Sequence, residues 1–579
     1  DAGVSGMLGQ IGIALLAASR ATSDVETATN ATGSRTCARS MMGLGVGVNV
    51  NDERVAREDL ERAIAGGRAE EIATAIVCNV WPLYNTHYEL MCRALVSLPS
   101  GVLEQHPILR ALHPMTPVLA RTIRPFRPLG TVPNARTADP DELDLTTLVH
   151  ILASRMSGDE PGALSHAKRL EDRIAQVRTE SRERTDGPLW YFHLQIGSTL
   201  LSAGKSARAL LAFATARQLA ALAPQPDAER LVLGRTALAH AVRGSLDDAR
   251  RLLSEAAELP PPTPAHIGSS AATEAAAAAL VAVDRMTDDL DERLYEIESY
   301  DSYEMSWPFA LLARTRAHLA RHQPDDALEV TRLAADSHPP FPGTFATDVI
   351  TAMTIESLAT SGDLSRAAKV VDADQRAEKR GILTRLALVR LALFDGDVRG
   401  ATQDLRDLID DTAPGPAQRA KITVLAAWLE FVRTGDVDPH TAATIAQLGT
   451  KVNHRRLFAT TPQPVVDCVL SHLPAETAQA MRAALAGVEH MDVRERPRLT
   501  NRELLVLRAL TLHPTTASIA AALHVSPNTI KSQLQSLYRK LGCSTREEAV
   551  QVASRLRLCD AACGSTAEHI PLAREARLR

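Results

Sequence analysis

Apolar residues recur at helical spacing along most of the 579-residue chain, in short runs that end near a glycine or a proline. One example has Ile196 and Leu200 before Gly204, and Leu210 and Phe213 after it. This pattern predicts pairs of antiparallel helices joined by tight turns. The expected fold class is therefore all-α.

A glycine followed five residues later by an alanine is the strongest repeated feature. The copies are Gly158/Ala163, Gly204/Ala209, Gly244/Ala249, Gly362/Ala367 and Gly396/Ala401, with His322/Ala327 as a copy without glycine. Successive copies lie 46, 40, 78, 40 and 34 residues apart, and the 78-residue interval leaves room for a degraded copy near Asp284. We expect the glycine to form the turn and the alanine to allow close helix contact.

Two of these units carry the small and large residues of tetratricopeptide repeats at the family's packing positions. The residues are Gly197, Gly204, Ala209, Phe213 and Ala216 in one unit, and Ala237, Gly244, Ala249, Leu253 and Ala256 in the next. Residues 150–440 therefore resemble a tetratricopeptide-like (TPR-like) helical solenoid, and an irregular helical solenoid without a particular groove is the alternative. Either form predicts a binding or assembly role, with a protein or small-molecule effector as partner.

The segments around the repeats divide the chain further. Residues 55–65 and 70–78 read as amphipathic helices around Gly66 and Gly67, and six prolines between positions 114 and 140 indicate a connector. The expected domains are an unassigned segment 1–50, a helical region with a proline-rich connector 51–145, repeats 146–450, a helical linker 451–498, a small C-terminal domain 499–558 and a tail 559–579.

Helix caps divide residues 499–558 into four helices. The predicted caps are Thr500 with Glu503 for the first helix, Thr515 or Thr516 for a short second helix 518–523, Ser526 with Pro527 for the third, and Thr545 with Glu548 for the fourth, 546–556. Gly542 is expected to end the third helix. A short helix, a tight turn and a longer helix are typical of a helix-turn-helix unit.

The third of these helices has one apolar and one polar side. Ile530, Leu534, Leu537 and Leu541 form the apolar stripe. The candidate DNA-binding residues are Asn528, Thr529, Lys531, Ser532, Gln533 and Gln535 for base edges, and Arg539 and Lys540 for phosphates. The predicted partner is double-stranded DNA, bound in the major groove.

The same 60 residues resemble the LuxR-type DNA-binding domain. The resemblance rests on Leu499-Thr500, Arg502-Glu503, Val506-Leu507, Ile519-Ala520, Leu523, Val525-Ser526, Thr529-Ile530-Lys531, Tyr538, Lys540-Leu541-Gly542, Arg546 and Ala549-Val550. It implies that the third helix is the recognition helix and the fourth a dimer surface, so a homodimer is expected. Gln533 stands where the family usually has histidine, and residues 512–516 also depart from its pattern.

Charge supports a local DNA site in an otherwise acidic chain. The net charge is −5 overall, yet residues 499–558 hold eight basic and three acidic side chains, which leaves −10 on residues 1–498. A basic end on an acidic body suits contact with an anionic polymer. A four-helix unit that serves only packing or dimerisation is the alternative.

Other motifs carry no chemistry. Gly204-Lys205-Ser206 resembles the end of a phosphate-binding loop, but its first glycine is missing and helical periodicity precedes it. Cys559 and Cys563 lack partner ligands for zinc, and no paired carboxylates or Ser/His/Asp set is found. We therefore expect no enzyme activity, no cofactor, no metal, no membrane span and a cytoplasmic location.

Repeats before a terminal LuxR-type domain resemble the large MalT-like regulators, whose ATPase domain comes first. The expected function is a transcription regulator with an effector-sensing solenoid and with RNA polymerase as a further partner. Since the chain shows no ATPase, it is either a shorter relative or the C-terminal part of a larger ATP-dependent regulator. A protein-interaction scaffold with a degenerate DNA-binding domain is the remaining alternative.

Overall fold

The computed structural model describes residues 50–79, 87–105, 159–180, 189–223, 225–263, 266–299, 306–338, 343–374, 380–491 and 499–555, with isolated positions (83, 109, 147, 148, 150–152, 154, 155 and 558) between and after them. Across these residues the regular elements are helices, apart from a single parallel bridge between Pro462 and Met491. The expected all-α fold is confirmed.

The helices before and within the repeats are labelled in chain order. They are α1 (Val50–Gly66), α2 (Ala69–Cys78), α3 (Tyr88–Ser97), α4 (Ser100–Gln105), α5 (Glu160–Glu180), α6 (Leu189–Ser202), α7 (Ser206–Ala220), α8 (Ala228–Arg243), α9 (Leu246–Glu258), α10 (Ile267–Arg285), α11 (Leu290–Glu298), α12 (Trp307–Ala320), α13 (Pro324–Ser337), α14 (Phe345–Ser361), α15 (Leu364–Asp374), α16 (Ile382–Asp395), α17 (Val398–Ile409) and α18 (Pro416–Thr434).

The remaining helices complete the solenoid region and the C-terminal domain. They are α19 (Pro439–Gly449), the 3₁₀ turn Val452–His454, α20 (Arg455–Ala459), α21 (Gln463–Ser471), α22 (Ala475–Ala484), α23 (Asn501–Leu512), α24 (Thr516–Ala522), α25 (Pro527–Leu541) and α26 (Arg546–Arg555). The helices predicted around Gly66 and Gly67 are present as α1 and α2. The proline-rich connector lies outside the described residues, as do residues 1–49 and the tail.

Left-handed turns between paired helices occur where the repeat predicted them. The turn residues with positive φ are Gly204, Gly244, Gly362 and Gly396, together with His322 in the copy without glycine. Met286 ends α10 with a φ of 50°, so a further hairpin stands near Asp284. Gly158 lies outside the described residues. Left-handed backbone is strained for residues with a side chain, which explains why glycine predominates here.

The alanine of each repeat is completely buried. Ala163, Ala209, Ala249, Ala327, Ala367 and Ala401 each expose 0% of their surface. A larger side chain at any of these points would have to push the two helices of the hairpin apart. In the best-formed unit, Gly197 on α6 packs against Phe213 on α7, and a β-carbon at Gly197 would lie only 2.4 Å from Phe213 Cε1.

The solenoid winds tightly enough for distant helices to meet. The first helices of the hairpins face the interior, and α6 contacts α14 while α8 contacts α18. Gln418 Nε2 donates a hydrogen bond of 3.3 Å to the carbonyl oxygen of Val242, 176 residues earlier. These inner helices are buried around most of their circumference, whereas outer helices such as α9 and α13 are buried on one side.

Residues 451–491, expected to be a helical linker, are helical and pack inside the curve of the solenoid. Asn453 Nδ2 donates to Asp247 Oδ2 over 2.9 Å, and Arg456 Nε donates to Asp284 Oδ1. Further along, His322 Nε2 lies 3.1 Å from the carbonyl oxygen of Glu489. This segment therefore fills the inner side of the superhelix and leads from there toward the C-terminal domain.

The C-terminal domain has a hydrophobic core of its own. Its buried residues include Leu507, Ile519, Ile530, Leu537 and Ala549, and the cluster contains no residue before position 499. A separate core is the mark of a distinct domain. Outside this core, α26 also contacts α15 of the solenoid. Among the described residues, no helix is long and apolar enough to cross a bilayer.

Gly197→Ala should destabilise the solenoid by about 1–3 kcal/mol, because the added methyl group must displace the Phe213 ring in a close-packed core. Thermal unfolding of the full chain, followed by circular dichroism at 222 nm, measures the effect. Adding Phe213→Leu should recover part of the loss by making room for the methyl group.

Gly101→Ala on α4 is the matched control, because nothing lies within 4 Å of a β-carbon built at Gly101. Alanine is also the better helix former, so this variant should be as stable as the wild type or slightly more stable. Equal losses in the two variants would contradict close contact between α6 and α7.

Candidate nucleic-acid interface

Helix α25 begins and ends at the residues that the sequence predicted. The Ser526 side chain accepts a hydrogen bond of 3.1 Å from Thr529 N, and Pro527 occupies the first turn, where its missing N–H leaves no bond unmade. Gly542 ends the helix with a φ of 64°. The buried stripe of Ile530, Leu537 and Leu541 holds α25 against α23 and α24.

Opposite that buried stripe, α25 presents polar and basic side chains to solvent. Asn528, Ser532, Gln535 and Arg539 follow one another at i, i+4, i+7 and i+11, and Lys531 lies beside them. All five residues are exposed. Among the described residues neither Lys531 nor Arg539 forms an ion pair. We call these five residues the outward face of α25.

The other three predicted DNA-binding residues lie on the flanks of the helix. Thr529 is partly buried, and its Oγ1 lies 2.8 Å from Ser526 Oγ in the helix cap. Gln533 is also partly buried. Lys540 donates from Nζ to Glu503 Oε2 over 2.7 Å, so its ammonium group is turned toward α23. Their contact with DNA stays a prediction.

Glu503 joins the first helix of the domain to the third. Its Oε2 accepts from Thr500 N over 2.7 Å and completes the predicted capping box, while Oε1 accepts from Ser536 Oγ over 2.9 Å. Burial alone would raise the pKa of this carboxyl, but the hydrogen bonds from Lys540, Thr500 and Ser536 outweigh burial and lower the pKa to about 2. The charged carboxylate therefore fixes α25 relative to α23.

The turn of the helix-turn-helix unit contains a left-handed histidine. Helix α24 ends at Ala522, and His524 has a φ of 53°. Val525 N then donates to the carbonyl oxygen of Ala520 over 3.0 Å, which closes the turn. The short second helix, predicted as 518–523, begins two residues earlier because Thr515 is its cap.

Arg546 is a basic residue whose guanidinium serves the fold. Its Nη1 donates to the carbonyl oxygen of Pro514 over 3.0 Å, and its Nη2 contacts the carbonyl oxygens of Leu510 and His513. These carbonyls lie at the end of α23, where intrahelical partners run out. Sequence reasoning counted Arg546 toward the positive charge of the domain and missed this role.

The apparent phosphate-binding motif at Gly204 is a repeat turn. Helix α6 precedes it, as the periodicity predicted, and no strand does. Gly204 N and Lys205 N donate to the carbonyl oxygens of Leu201 and Leu200, at 2.9 and 2.8 Å. A phosphate-binding loop needs such N–H groups to face its ligand. Here the N–H groups of Gly204 and Lys205 instead bond to carbonyl oxygens at the C-terminal end of α6.

A buried Asp–His–Thr group, not evident from the sequence, joins the starts of α8 and α10. Asp227 Oδ2 accepts from Thr263 Oγ1 at 2.6 Å and from Thr263 N at 2.7 Å, and it lies 2.9 Å from His266 Nδ1. Burial would raise the pKa of Asp227, but the bonds from His266 and Thr263 outweigh it and lower the pKa. The threonine hydroxyl donates its proton to the carboxylate and not to a histidine base, so it is not an activated nucleophile. The group instead connects the starts of the two helices by hydrogen bonds.

One group of side chains among the described residues has the spacing of metal ligands. Asp436, Cys468 and His472 bring ligand atoms within 4.8 Å of one another. Asp436 Oδ1 accepts from Cys468 Sγ at 3.2 Å and lies 2.6 Å from His472 Nε2. These bonds account for the cluster without an ion. Cys559 and Cys563 lie outside the described residues.

Comparison with known proteins identifies the C-terminal domain. Residues 497–553 match the family described as "Bacterial regulatory proteins, luxR family". The "Probable transcriptional regulatory protein NarL" of Mycobacterium tuberculosis (strain ATCC 25618 / H37Rv) is 37% identical over 101 residues, 17% of this chain and 44% of the relative. The resemblance to LuxR-type domains that the sequence indicated is confirmed.

Two further relatives match over shorter segments. The "Transcriptional regulatory protein YdfI" of Bacillus subtilis (strain 168) is 43% identical over 60 residues, 10% of this chain and 28% of the relative. The "HTH-type transcriptional activator RamA" of Corynebacterium glutamicum is 39% identical over 69 residues, 12% of this chain and 25% of the relative. The matches thus span less than half the length of each of these relatives.

Glu503→Gln should destabilise the C-terminal domain by about 2 kcal/mol at pH 7, since a charged, buried acceptor for Lys540 is lost. Because the pKa of Glu503 falls from 4.5 in the unfolded chain to about 2 in the folded one, its contribution is fully present above pH 4.5. The difference between variant and wild type should shrink as the pH falls from 4.5 toward 2.

Hydrogen exchange with mass spectrometry on peptides from residues 499–555 of the full chain measures this stability separately from the solenoid. Glu547→Gln is the control, because Glu547 is exposed on α26 in the same domain. Equal exchange in wild type and Glu503→Gln at pH 7 would show that the carboxylate does not hold α25 in place.

Proposed function

We propose that this chain, whose residues 497–553 match the LuxR family of bacterial regulators, is a transcription regulator that binds promoter DNA through α25. The observation that carries the proposal is the outward face of α25, where five exposed polar or basic residues lie opposite the buried stripe. An α-helix of this kind fits the major groove of B-DNA, where each base pair shows a distinct pattern of donors and acceptors.

The outward face divides into base-reading and phosphate-binding residues. Asn528 and Gln535 carry amides that can pair with adenine N6 and N7, and Lys531 can donate to guanine O6 and N7. Arg539 lies one turn beyond Gln535 on α25, where its guanidinium can reach a phosphate. Ser532 lies between them and is small enough to let the helix approach the bases.

The solenoid supplies the sensing part of the proposed regulator. Stacked hairpins offer a large surface for a protein or small-molecule effector. Residues 451–491 pack inside this surface and precede the DNA-binding domain along the chain, so a change in their packing has a direct route to it. RNA polymerase remains a proposed partner once the regulator is on DNA, and none of these steps requires covalent chemistry.

We further propose that two chains bind DNA as a dimer through α26. A two-fold dimer would place two α25 helices in major grooves about 34 Å apart, one helical turn of DNA. In the structure α26 also contacts α15. Dimer formation would therefore compete with that contact or use the side of α26 that α15 leaves open.

Selection of bound sequences from a random duplex pool, with the full chain, tests the proposal. The expected result is one enriched motif, with two related half-sites if the chain binds as a dimer. Failure to enrich any sequence would favour the interaction-scaffold hypothesis, in which the solenoid carries the function and the C-terminal domain is degenerate.

Lys531→Ala and Arg539→Ala should change binding of the selected duplex in different ways. Lys531→Ala should relax preference at one base position at a loss of about 1–3 kcal/mol. Arg539→Ala should weaken all duplexes alike and reduce the slope of log K against log salt by about one, because one phosphate contact is lost. Titrations at several salt concentrations separate the two effects.

Arg332→Ala is the matched control, because it removes an exposed arginine from α13 of the solenoid. It should leave both the affinity and the salt slope at their wild-type values. If all three variants behave alike, the outward face of α25 is not the DNA-binding surface.

A further inference from the structure

A cavity lies inside the curve of the solenoid where the inner helices meet α20. It contains about 640 Å³ of atom-free space, including its opening to solvent. The charged and ionisable residues that line it are Asp284, Arg316, Glu356, Lys421, His454 and Arg456. They come from α10, α12, α14, α18, the 3₁₀ turn and α20, so the cavity exists only because residues 451–491 pack inside the solenoid.

Asp284 on α10 has two cationic neighbours. Arg456 Nε donates to Asp284 Oδ1, and Arg316 Nη1 lies 3.6 Å from Asp284 Oδ2. Burial alone would raise the pKa of Asp284, but the two guanidinium groups outweigh burial and lower it. Asp284 is therefore a carboxylate, and it neutralises one of its two neighbours.

Glu356 on α14 is surrounded in the same way. Lys421 Nζ donates to Glu356 Oε1, and Arg390 Nη1 donates to Glu356 Oε2 over 3.3 Å. Burial would raise the pKa of Glu356, but Lys421 and Arg390 outweigh burial and lower the pKa to about 2. Glu356 is thus also charged and again neutralises one of two cations.

The cluster as a whole carries an excess of two positive charges. Four cationic side chains surround two carboxylates, and His454 adds no charge because burial lowers its pKa. Burial also lowers the pKa of Lys421 to about 8, with Arg390 and Arg456 adding to that effect and Glu356 opposing it. Buried charges that lack a counter-ion are strongly unfavourable.

Arg316 marks the position in the cavity where a negatively charged group of a ligand would bind. Only 7% of this residue is exposed, and it lines the cavity. Its Nη1 has no hydrogen-bond partner among the described residues, although Asp284 lies just beyond hydrogen-bond distance. A buried guanidinium N–H without an acceptor costs free energy that a ligand oxygen would recover. The same oxygen would lie near the other cations of the cluster.

We propose that this cavity binds a small dianion, through either a phosphate group or a pair of carboxylates, and that this dianion is the effector of the regulator. The proposal rests on the function proposed above and names its ligand class. Two negative charges would balance the excess of the cluster, and Arg316 and Arg456 offer the forked donors that suit phosphate and carboxylate oxygens.

The position of the cavity gives the dianion a route to the DNA-binding domain. Arg456 belongs to α20, whereas Arg316 and Lys421 belong to α12 and α18 of the solenoid. A dianion held by all three would tie residues 451–491 more firmly to the inner helices. Hydrogen exchange in peptides from 451–491 should then slow when the ligand binds, which a stabilisation confined to the solenoid would not produce.

Thermal unfolding of the full chain with inorganic phosphate and, separately, with succinate tests the proposal. Sodium chloride keeps the ionic strength constant, so that general salt effects cancel. One of the two dianions should raise the midpoint in a saturable way, by about 2–5 °C at a hundredfold excess over its Kd. The dianion that acts distinguishes a phosphate ligand from a dicarboxylate.

Arg316→Met should weaken binding of the active dianion at least tenfold, and Lys421→Met should do the same. Arg316→Lys keeps the positive charge but removes the two-pronged guanidinium donor. It replaces Arg316→Met in the binding measurement if the methionine variant does not fold. Arg230→Met is the matched control. Arg230 forms a half-buried ion pair with Glu274, with 3.0 Å between Nη2 and Oε2, and neither residue lines the cavity. It should bind with wild-type affinity.

Absence of saturable stabilisation by both dianions, or equal stabilisation of wild type and Arg316→Met, would overturn the proposed site. DNA binding is measured on the same samples with the selected duplex. If the duplex binds and neither dianion does, the site is wrong and the regulator stands. If a dianion binds and no duplex is ever selected, the proposed function is wrong and the site stands.

Discussion

Close packing between paired helices sets the geometry of the whole solenoid. Five described hairpins have an alanine without exposed surface five residues after a left-handed turn, and in the best-formed unit a glycine leaves room for Phe213. Because small residues stand at these contacts, the helices pack closely and the hairpins can stack into a tightly curved solenoid. Without that curvature α6 could not meet α14, and α8 could not meet α18.

Tight curvature also creates an interior that must be filled. Residues 451–491 fill it, and they bring Arg456 beside Asp284, 172 residues earlier in the chain. Such a buried ion pair is a poor source of stability, because removing charges from water offsets most of the attraction. The pair nevertheless favours this packing of α20, because any other packing would separate Arg456 from its buried partner.

The C-terminal domain is stabilised in a different way. It has a separate hydrophobic core, and side-chain caps fix the ends of its helices. Glu503 is the centre of this arrangement: one carboxylate caps α23 and accepts from Ser536 and Lys540 on α25. The outward face of α25 is thus held in place by a buried charge on the neighbouring helix. This arrangement is independent of the solenoid core, since the two regions share no hydrophobic cluster.

The helices, their caps and the identity of the C-terminal domain could be predicted from the order of residues along the chain. These features depend on neighbours within one or two turns, so Thr500 with Glu503, Ser526 with Pro527, and the left-handed Gly204 could all be read locally. The outward residues of α25 were likewise predictable from helical spacing.

Which polar side chains stabilise the fold depends on contacts between helices that are distant in the sequence. The sequence predicts Lys540 as a phosphate ligand, yet its ammonium group pairs with Glu503. Arg546 stands out in the sequence only as a basic residue, and in the structure it contacts carbonyl oxygens at the end of α23. The cationic cavity could not be foreseen either, because Asp284, Glu356 and Arg456 come from distant helices. Their meeting depends on the summed curvature of many hairpins, and no local pattern of residues encodes that sum.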